Sequence, residues 1–556
     1  FMPRKKTKKR KTKYIFVMGG VLSGLGKGVA TSSIGKILQS KGYSVTAMKI
    51  DPYLNVDAGT MNPTEHGEVF VTKDGLECDQ DIGNYERFLD LELTRDNYMT
   101  TGQVYSTVIQ RERNLEYEGR CVEMIPHIPE EIIRRIKKLA HKEKPDFILI
   151  EIGGTVGEYQ NIIYYEAARF LHLADPSRVL FIFLSYLPIP EKIGEMKTKP
   201  TQMAVKTLNS LGIQPDFLLC RAAAPLDKKR KEKLATFCNL QEEDIISAPD
   251  VDLIYEIPVN FEMDGLGDKI LKKFKLKARK VNLHYWRSFV KKIKHLKRRL
   301  KIGIIGKYFS TGKFILPDSY ISVIEAVKHA SWYYNYQPQL IWLNSEEFEK
   351  YPRKLKQLKE LDAIIIPGGF GKRGVEGKIQ SIEYARKHKI PFLGLCYGMQ
   401  LAVIEFARNV AKLNGANSTE IDPRTKYPVI DILPEQKEKL KNKDYGGSMR
   451  LGDYPCYLVP KTKSYELYGR KKIVKERHRH RYEFNNFFRD ELEKAGLIIA
   501  GKCPQGDLVE IIELKNHPYF VACQFHPEFK SRPLNPHPLF KGLIKAAVSF
   551  KHSKNA

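Results

Sequence analysis

No apolar run in this chain is long enough to cross a bilayer. The strongest, around residues 179–187, has roughly half the length a membrane helix needs. No signal-peptide pattern opens the sequence. Its eight cysteines include no C-x-x-C pair, so free thiols in a reducing cytoplasm are expected rather than a disulfide scaffold. Acid is in short supply: 65 Asp and Glu stand against 93 Lys and Arg, a net charge of +28. Eight cations fall within residues 4–13, a run read as a solvated tail rather than a nucleic-acid binder. The remaining excess suits polyanionic substrates such as nucleotides. With 42% hydrophobic and 28% charged residues the chain is not disordered overall, and 556 residues exceed one core. Two or more domains are therefore expected.

A second absence lies inside a motif. The apolar stretch 14–18 runs into Gly19-Gly20-Val21-Leu22-Ser23-Gly24-Leu25-Gly26-Lys27-Gly28 and then a helical pattern, the strand–loop–helix layout of a phosphate cradle. Glycines let backbone N–H groups close on phosphate oxygens, and Lys27 adds a point charge. Five residues, not four, separate Gly20 from Gly26, and Gly28 stands where a magnesium-binding Ser or Thr is expected. A metal at this loop must then be held by carboxylates from elsewhere.

Such carboxylates are present. An apolar strand ends at Glu151 beside Gly153-Gly154-Thr155-Val156-Gly157, the place of a Walker-B-type acid, and Asp81 closes Cys78-Asp79-Gln80-Asp81. Glu151 and Asp81 are the candidate Mg²⁺ ligands. Lys49, at the end of the strand expected over 45–53, is a candidate second phosphate cation. Residues 62–83, broken by Gly, Pro and Asp, are expected as loop or short strands. Lys197 and Lys199 flank Thr198 before Pro200, Thr201 and Gln202 open a helix, which suits a second polyphosphate. Strands and helices alternating in this way argue for a doubly wound parallel sheet.

Residues 269–299, dense in Lys and Arg, read as an interdomain helix and linker with a solvated face. A new α/β unit starts at 300. Within it Cys396 sits at a strand-to-helix turn in Gly394-Leu395-Cys396-Tyr397-Gly398, which exposes the sulfur and favours its thiolate. A strand expected to end at Phe525-His526-Pro527-Glu528 would put His526 and Glu528 on one side, so that Glu528 orients His526 and His526 serves Cys396 as base.

Together these residues resemble a family. Residues 14–28, Lys49-Ile50-Asp51-Pro52-Tyr53, His66-Gly67-Glu68-Val69, residues 151–157 and residues 197–202 resemble the CTP synthases, and the likeness runs from about Tyr14 to the C-terminus. The G-x-C-x-G and H-P-E pair resembles the class I glutamine amidotransferases. The resemblance implies an α/β protein with two doubly wound domains: a P-loop-related, dethiobiotin-synthetase-like amidoligase domain over 14–275 and a flavodoxin-like amidotransferase domain over 300–550. A basic tail (1–13), a linker (276–299) and a C-terminal tail (551–556) complete the division.

It also implies roles. Gly24, Leu25, Gly26, Lys27, Gly28 and Val29 would wrap the ATP phosphates, with Asp250 and Val251 near adenine and Ser23 facing UTP. Lys27 and Lys49 would stabilise the phosphoryl group in flight, with Asp81 and Glu151 on Mg²⁺. Lys197, Thr198, Lys199, Pro200, Thr201, Gln202 and Lys233 would bind UTP or CTP. Glu158, Tyr159 and Gln160, where the family more often has Asp-Ile-Glu, would meet the product's sugar and base. His66 and Val69 would stand at the mouth of an ammonia passage.

In the second domain Cys396, His526 and Glu528 would form the triad, and the N–H groups of Gly369 and Tyr397 the oxyanion hole. Tyr397 replaces a more usual Leu. Gly398, Met399, Gln400, Glu420 and Arg481 complete the glutamine site implied by the resemblance. GTP, as activator, is assigned Phe370 and Arg373, near a segment over 308–314 that is longer than in relatives. The implied reaction is ATP-dependent amination of UTP to CTP with ammonia from L-glutamine, inhibited by CTP. A homotetramer is implied, with filaments left open. Two rivals stand beside it: another glutamine-dependent amidoligase, and a basic RNA-binding or polymer-forming scaffold.

Overall fold

The structure, a computed structural model, describes residues 11–62, 67–280, 282–307, 310–311, 314–315, 317–432 and 449–555. His66, most of the basic tail and residues 308, 309, 312 and 313 of the 308–314 segment lie outside them. The chain divides into two compact units. One comprises the residues up to Asp57 together with Asn84–Lys291; the other comprises Ala58–Gly83 and the chain from Lys292 onward. The stretch 58–83, which the sequence placed within the first domain, thus packs with the second unit.

The first unit is built on a seven-stranded sheet, in spatial order Tyr98–Thr100, Val45–Asp51, Phe147–Ile152, Lys13–Gly20, Val179–Tyr186, Phe217–Ala222 and Ile245–Pro249. Every pair is parallel. Parallel strands are covered on both faces and so read as continuous apolar runs. Tyr14, Ile15, Phe16, Val17 and Met18 are all 3% exposed or less. Strand Lys13–Gly20 lies between Phe147–Ile152 and Val179–Tyr186; the chain builds one side of the sheet first and crosses past this strand to the other side after Phe147–Ile152. Ligands bind at such a switch point, beyond the carboxyl ends of the strands.

Three stretches expected as tails or linker are structured. Lys13 belongs to the first strand, and its ammonium donates to Ser177 O at 2.8 Å. Within the expected linker, His284–Lys294 is a helix. Its Trp286 is 2% exposed, donates to Tyr255 O at 2.7 Å and packs on Phe88 and Tyr255. Burying such a ring stabilises by about 2–3 kcal/mol, so the helix sets Trp286, Val290 and Ile293 into the core while its Lys and Arg side chains form the expected solvated face. The last helix, Pro538–Asn555, runs through the expected C-terminal tail. Lys551 and Lys554 anchor it by donating to Arg299 O at 2.7 Å and Leu361 O at 2.6 Å.

The second unit has a nine-stranded sheet, in order Gln337–Asn344, Arg299–Gly306, Ala363–Ile366, Phe392–Leu395, Phe520–Cys523, Leu508–Leu514, Leu497–Cys503, Arg450–Leu458 and Ile473–His480. The first five strands are parallel and the last four antiparallel. Segment 58–83 contributes the short hairpin Phe70–Val71 and Glu77–Cys78, as expected for so broken a sequence. Two glycines seat it. Gly75 and Gly452 have φ of +87° and +88°, and a Cβ on Gly452 would lie 2.6 Å from Gly75 N, so only glycines allow the backbones this close. The Asp453 N–H then donates to Lys73 O at 2.9 Å, Arg479 pairs with Glu77 at 2.8 Å, and Phe70 packs on Phe529.

Candidate functional site

In the first unit the loop after strand Lys13–Gly20 is a backbone cradle. Val21, Gly24 and Gly26 have φ of +80°, +70° and +82°, and Gly26 caps helix Lys27–Ser40 in the left-handed conformation. Glycines carry two of these three positions without strain. Lys27 opens the helix and is buried, its Nζ donating to Gly154 O at 2.8 Å. A Cβ on Gly19 would lie 2.9 Å from Lys27 Cδ, so that glycine makes room for the lysine stem. Ser23 is exposed at the loop's rim.

Lys49 and Glu151 are directly opposite on neighbouring strands, and their side chains meet at 2.9 Å with 6% and 1% exposure. Asp51 Oδ1 is 3.7 Å from the same ammonium, and Tyr85 donates its hydroxyl to the other oxygen of Glu151. Asp51 was not singled out by its sequence context. Its position, two residues beyond Lys49 on the same strand face, was the available signal.

An apolar cavity of ≈ 110 Å³ adjoins the loop, walled by Leu25, Gly26, Val29, Arg221, Asp250 and Val251 among others. Arg221 ties its two sides together. It pairs with Asp250 at 2.8 Å and donates to Leu25 O at 2.8 Å. Arg221 is the last residue but one of strand Phe217–Ala222, a position whose sequence signal was nearness to the strand end. The 197–202 segment leads into helix Lys199–Ser210, with Thr201 Oγ1 bonded to Ser185 Oγ at 2.8 Å and Gln202 to Thr198 at 3.1 Å. Lys233 is exposed on helix Lys228–Cys238, and Tyr159 is 96% exposed. Glu158 accepts from Thr155 N at 2.7 Å and from Gln160 at 2.9 Å.

Asp81 begins helix Asp81–Leu89 and its N–H bonds Asp79 at 2.7 Å, in the stretch that belongs to the second unit. Among the described residues no group of three or more His, Cys, Asp or Glu could by itself hold a metal. Magnesium takes one or two carboxylates plus phosphates and water. Glu151 and Asp51, hard oxygen donors at strand ends beside a phosphate loop, suit that chemistry.

In the second unit strand Phe392–Leu395 breaks at Cys396, which has φ +49° and ψ −99° and caps helix Tyr397–Asn409. This is a strained elbow, held because the Cys396 N–H donates to Cys523 O at 2.7 Å. The sulfur faces two cavities. One, of ≈ 90 Å³, is lined by Glu68, Val69, Gly368, Arg479, His526 and Glu528 among others. The other, of ≈ 520 Å³, is lined by Gly369, Phe370, Gln400, Glu420, Arg479 and Arg481 among others.

His526 Nδ1 bonds Glu528 Oε1 at 2.7 Å. The expected reason is corrected here. The strand ends at Cys523, Pro527 cannot continue it, and Glu528 lies in the 3₁₀ turn Pro527–Lys530. The turn, not strand alternation, brings the two side chains together. Burial alone would lower the His526 pKa. The charges of Glu528 and Cys396 outweigh it and raise the group to about 10, the condition for a thiolate–imidazolium pair. A Cβ on Gly368 would lie 2.8 Å from His526 Cε1, so this glycine clears the imidazole.

Gln400 donates to Tyr482 O at 2.9 Å, and Glu420 accepts from Gly371 N at 2.7 Å. Burial raises the Glu420 pKa. Gly398 and Met399 are fully packed and lie off both cavity walls; a Cβ on Gly398 would lie 2.2 Å from Ile366 O. Arg373 is exposed and pairs with Glu346 at 2.7 Å. The wall also takes Gly59, Thr60 and Arg479, which sequence reading passed over. Arg479 could have been found as the alternate basic residue in Arg477-His478-Arg479-His480-Arg481.

The family model for the CTP synthase N-terminus matches residues 13–276, and that for class-I glutamine amidotransferases matches 315–546. A CTP synthase of Caldanaerobacter subterraneus subsp. tengcongensis is 50% identical over 541 residues, 97% of this chain and 99% of that protein. One from Pyrococcus furiosus is 51% identical over 546 residues, 98% of this chain and 99% of its own length. A solved structure, the Trypanosoma brucei CTPS glutaminase domain with bound acivicin, is 35% identical over 45% of this chain and 94% of that one, with a TM-score of 0.42. The chain belongs to the CTP synthase family, an N-terminal synthase domain joined to a class I glutamine amidotransferase domain.

Proposed function

We propose that the chain makes CTP from UTP, ATP and L-glutamine. The observation that carries this reading is the coexistence in one chain of a Cys396–His526–Glu528 cavity and, in the other unit, a glycine-rich phosphate loop with Lys27 and a buried Lys49–Glu151 pair.

In the second unit the Cys396 thiolate attacks the carboxamide carbon of glutamine. The oxyanion that forms is received by the N–H groups of Gly369 and Tyr397. Tyr397 is first in its helix, at the end where backbone N–H groups point outward. His526 gives its proton to the departing nitrogen, ammonia leaves, and a thioester remains. His526 then takes a proton from water, which attacks the thioester and releases glutamate and the thiolate. Glu528 keeps the imidazole oriented throughout. Glu420 and Arg481, of opposite charge on one cavity wall, hold the ammonium and carboxylate of the amino acid.

In the first unit the loop amides of residues 24–29 and Lys27 hold the ATP phosphates, with the base in the cavity of Arg221, Asp250 and Val251. O4 of UTP attacks the γ-phosphorus and ADP leaves. Lys27 and Lys49 balance the charge spread over the phosphoryl oxygens. Ammonia then adds at C4 and phosphate departs. Mg²⁺ would be held by Glu151 and Asp51 and would supply further charge neutralisation on the polyphosphate. Ser23, Glu158, Tyr159, Gln160, residues 197–202 and Lys233 are assigned to UTP and CTP. Val69 is assigned to ammonia transfer, and Phe370 with Arg373 to GTP. A homotetramer completes the reading.

The test is CTP formation from UTP and ATP with either glutamine or ammonium chloride, with and without GTP. Product from both nitrogen sources, with a GTP gain confined to glutamine, is expected. No product from either in a folded sample overturns the reading.

A further inference from the structure

Lys378 is a charged residue buried where charge is costly. It lies in helix Val375–Lys387, is 0% exposed, and its Nζ has no hydrogen-bond partner among the described residues. An ammonium in that condition loses its hydration with little return. What faces it is the turn carrying Gly369. A Cβ placed on Gly369 would lie 3.9 Å from Lys378 Nζ and 3.8 Å from Tyr397 Cδ1. The same ammonium stands 5.3 Å from the centroid of the Tyr397 ring, which is 2% exposed, in cation–π geometry. Tyr397 also reaches the turn through its hydroxyl, donating to Gly371 O at 2.8 Å.

The Gly371 peptide, with φ +77°, is held from other sides as well. Its N–H donates to Glu420 at 2.7 Å, and Lys307 donates to the carbonyl of Phe370. The turn that presents the Gly369 N–H is thus fixed by side chains rather than by a regular element.

We propose that Tyr397 and Lys378 are positioning residues for the oxyanion hole: the phenol and ring of Tyr397 pin the Gly368–Gly371 turn so that the Gly369 N–H faces the thioester oxygen, and the Lys378 ammonium supplies positive potential behind it. This rests on the glutaminase reading above and adds to it two side chains that touch neither substrate nor the reacting sulfur. Preorganised charge in a dry site acts where negative charge develops in the transition state. Burial, with a smaller contribution from the Lys307 charge, lowers the Lys378 ammonium to about 7, so an oxyanion at Gly369 draws it toward its charged form.

The experiment uses the full chain and the variants Tyr397→Phe, which removes one oxygen atom, and Lys378→Met, of similar length and without charge. Three quantities are read: kcat and KM for glutamine hydrolysis, the rate at which iodoacetamide alkylates Cys396, and CTP formation from ammonium chloride. Both variants are expected to lose roughly tenfold or more in kcat, a fraction of the ~10²–10³ that one oxyanion donor is worth. KM, alkylation rate and ammonia-dependent synthesis should stay close to the unaltered chain. Unchanged kcat in either variant overturns the proposal, as does an alkylation rate that falls in step with kcat. Should Lys378→Met not fold, Tyr397→Phe decides alone. Glutamine hydrolysis by the unaltered chain reports the underlying reading separately, and its absence overturns both.

Discussion

His526 Nδ1 and Glu528 Oε1 lie 2.7 Å apart across a 3₁₀ turn, and that contact sets the protonation state of the amidotransferase centre. The imidazolium is held to about 10 against a free value of 6.5. A raised histidine pKa contributes stability that is complete below 6.5 and disappears as pH climbs through about 10. Glu528→Gln removes the main support. Glutamine hydrolysis should fall on the order of 10²-fold or more, within the usual worth of acid–base catalysis. The loss in thermal stability should be largest near pH 6 and shrink toward pH 10. A stability gap that does not change with pH would falsify this assignment of charge.

The clearance at Gly368 supplies a separate test. A methyl there meets His526 Cε1 at 2.8 Å, closer than carbon atoms approach, so Gly368→Ala must push the imidazole off its line to Cys396. Hydrolysis of glutamine should drop about 10²-fold, the cost of misplacing a reacting group by an ångström. Cys396→Ala should abolish it. Both variants are expected to make CTP from ammonium chloride at the rate of the unaltered chain. Parallel loss with ammonia would mean that the two activities are not divided as proposed.

Much of this was legible in sequence because it is local. Tyr14-Ile15-Phe16-Val17-Met18 reads as a buried parallel strand, the glycines after it as a cradle, and Cys396 between Gly394 and Gly398 as an elbow. Each signal is carried by neighbouring residues. What stayed hidden depends on distant packing. Nothing in 58–83 announces that Gly75 must meet Gly452, nor that Glu77 will pair with Arg479 four hundred residues away. Composition also places lysine and arginine outside, which conceals Lys378 and Arg450. Trp286 was missed for the converse reason, since the cations around it gave its helix the look of a solvated face.

The Lys49–Glu151 pair predicts the opposite pattern of loss. Glu151→Gln keeps the shape of the side chain and its bond to Tyr85 but removes the charge that faces Lys49 at 2.9 Å. Lys49→Met removes the partner. CTP formation should fall by roughly 10² or more with either nitrogen source, because charge stabilisation of the moving phosphoryl group is lost. Basal glutamine hydrolysis, which uses neither residue, should persist. Assaying glutamate release beside CTP separates the two, and loss of both activities together would sink the assignment.

Arg450 gives a prediction about stability rather than catalysis. It is 7% exposed and lies between Glu483 at 3.1 Å and Glu510 at 2.7 Å. Burial raises these carboxyls to about 8 and about 7, with the Arg450 charge opposing the rise. Carboxyls raised in the folded state favour it below their unfolded value of 4.5, and that contribution is lost as pH rises through 7 to 8. Arg450→Met removes the cation that opposes the rise and pushes both groups further up. Breaking a buried pair in this way costs about 3–5 kcal/mol. The cost should be smaller near pH 5, where both carboxyls are protonated in the folded chain, and full above pH 8, where folding must hold them neutral or bury their charge. Urea unfolding of the second unit at pH 5.5 and 8.5 measures the difference. Equal losses at the two pH values would mean that Arg450 acts through packing on Tyr454, whose ring it covers at 4.4 Å, and not through charge.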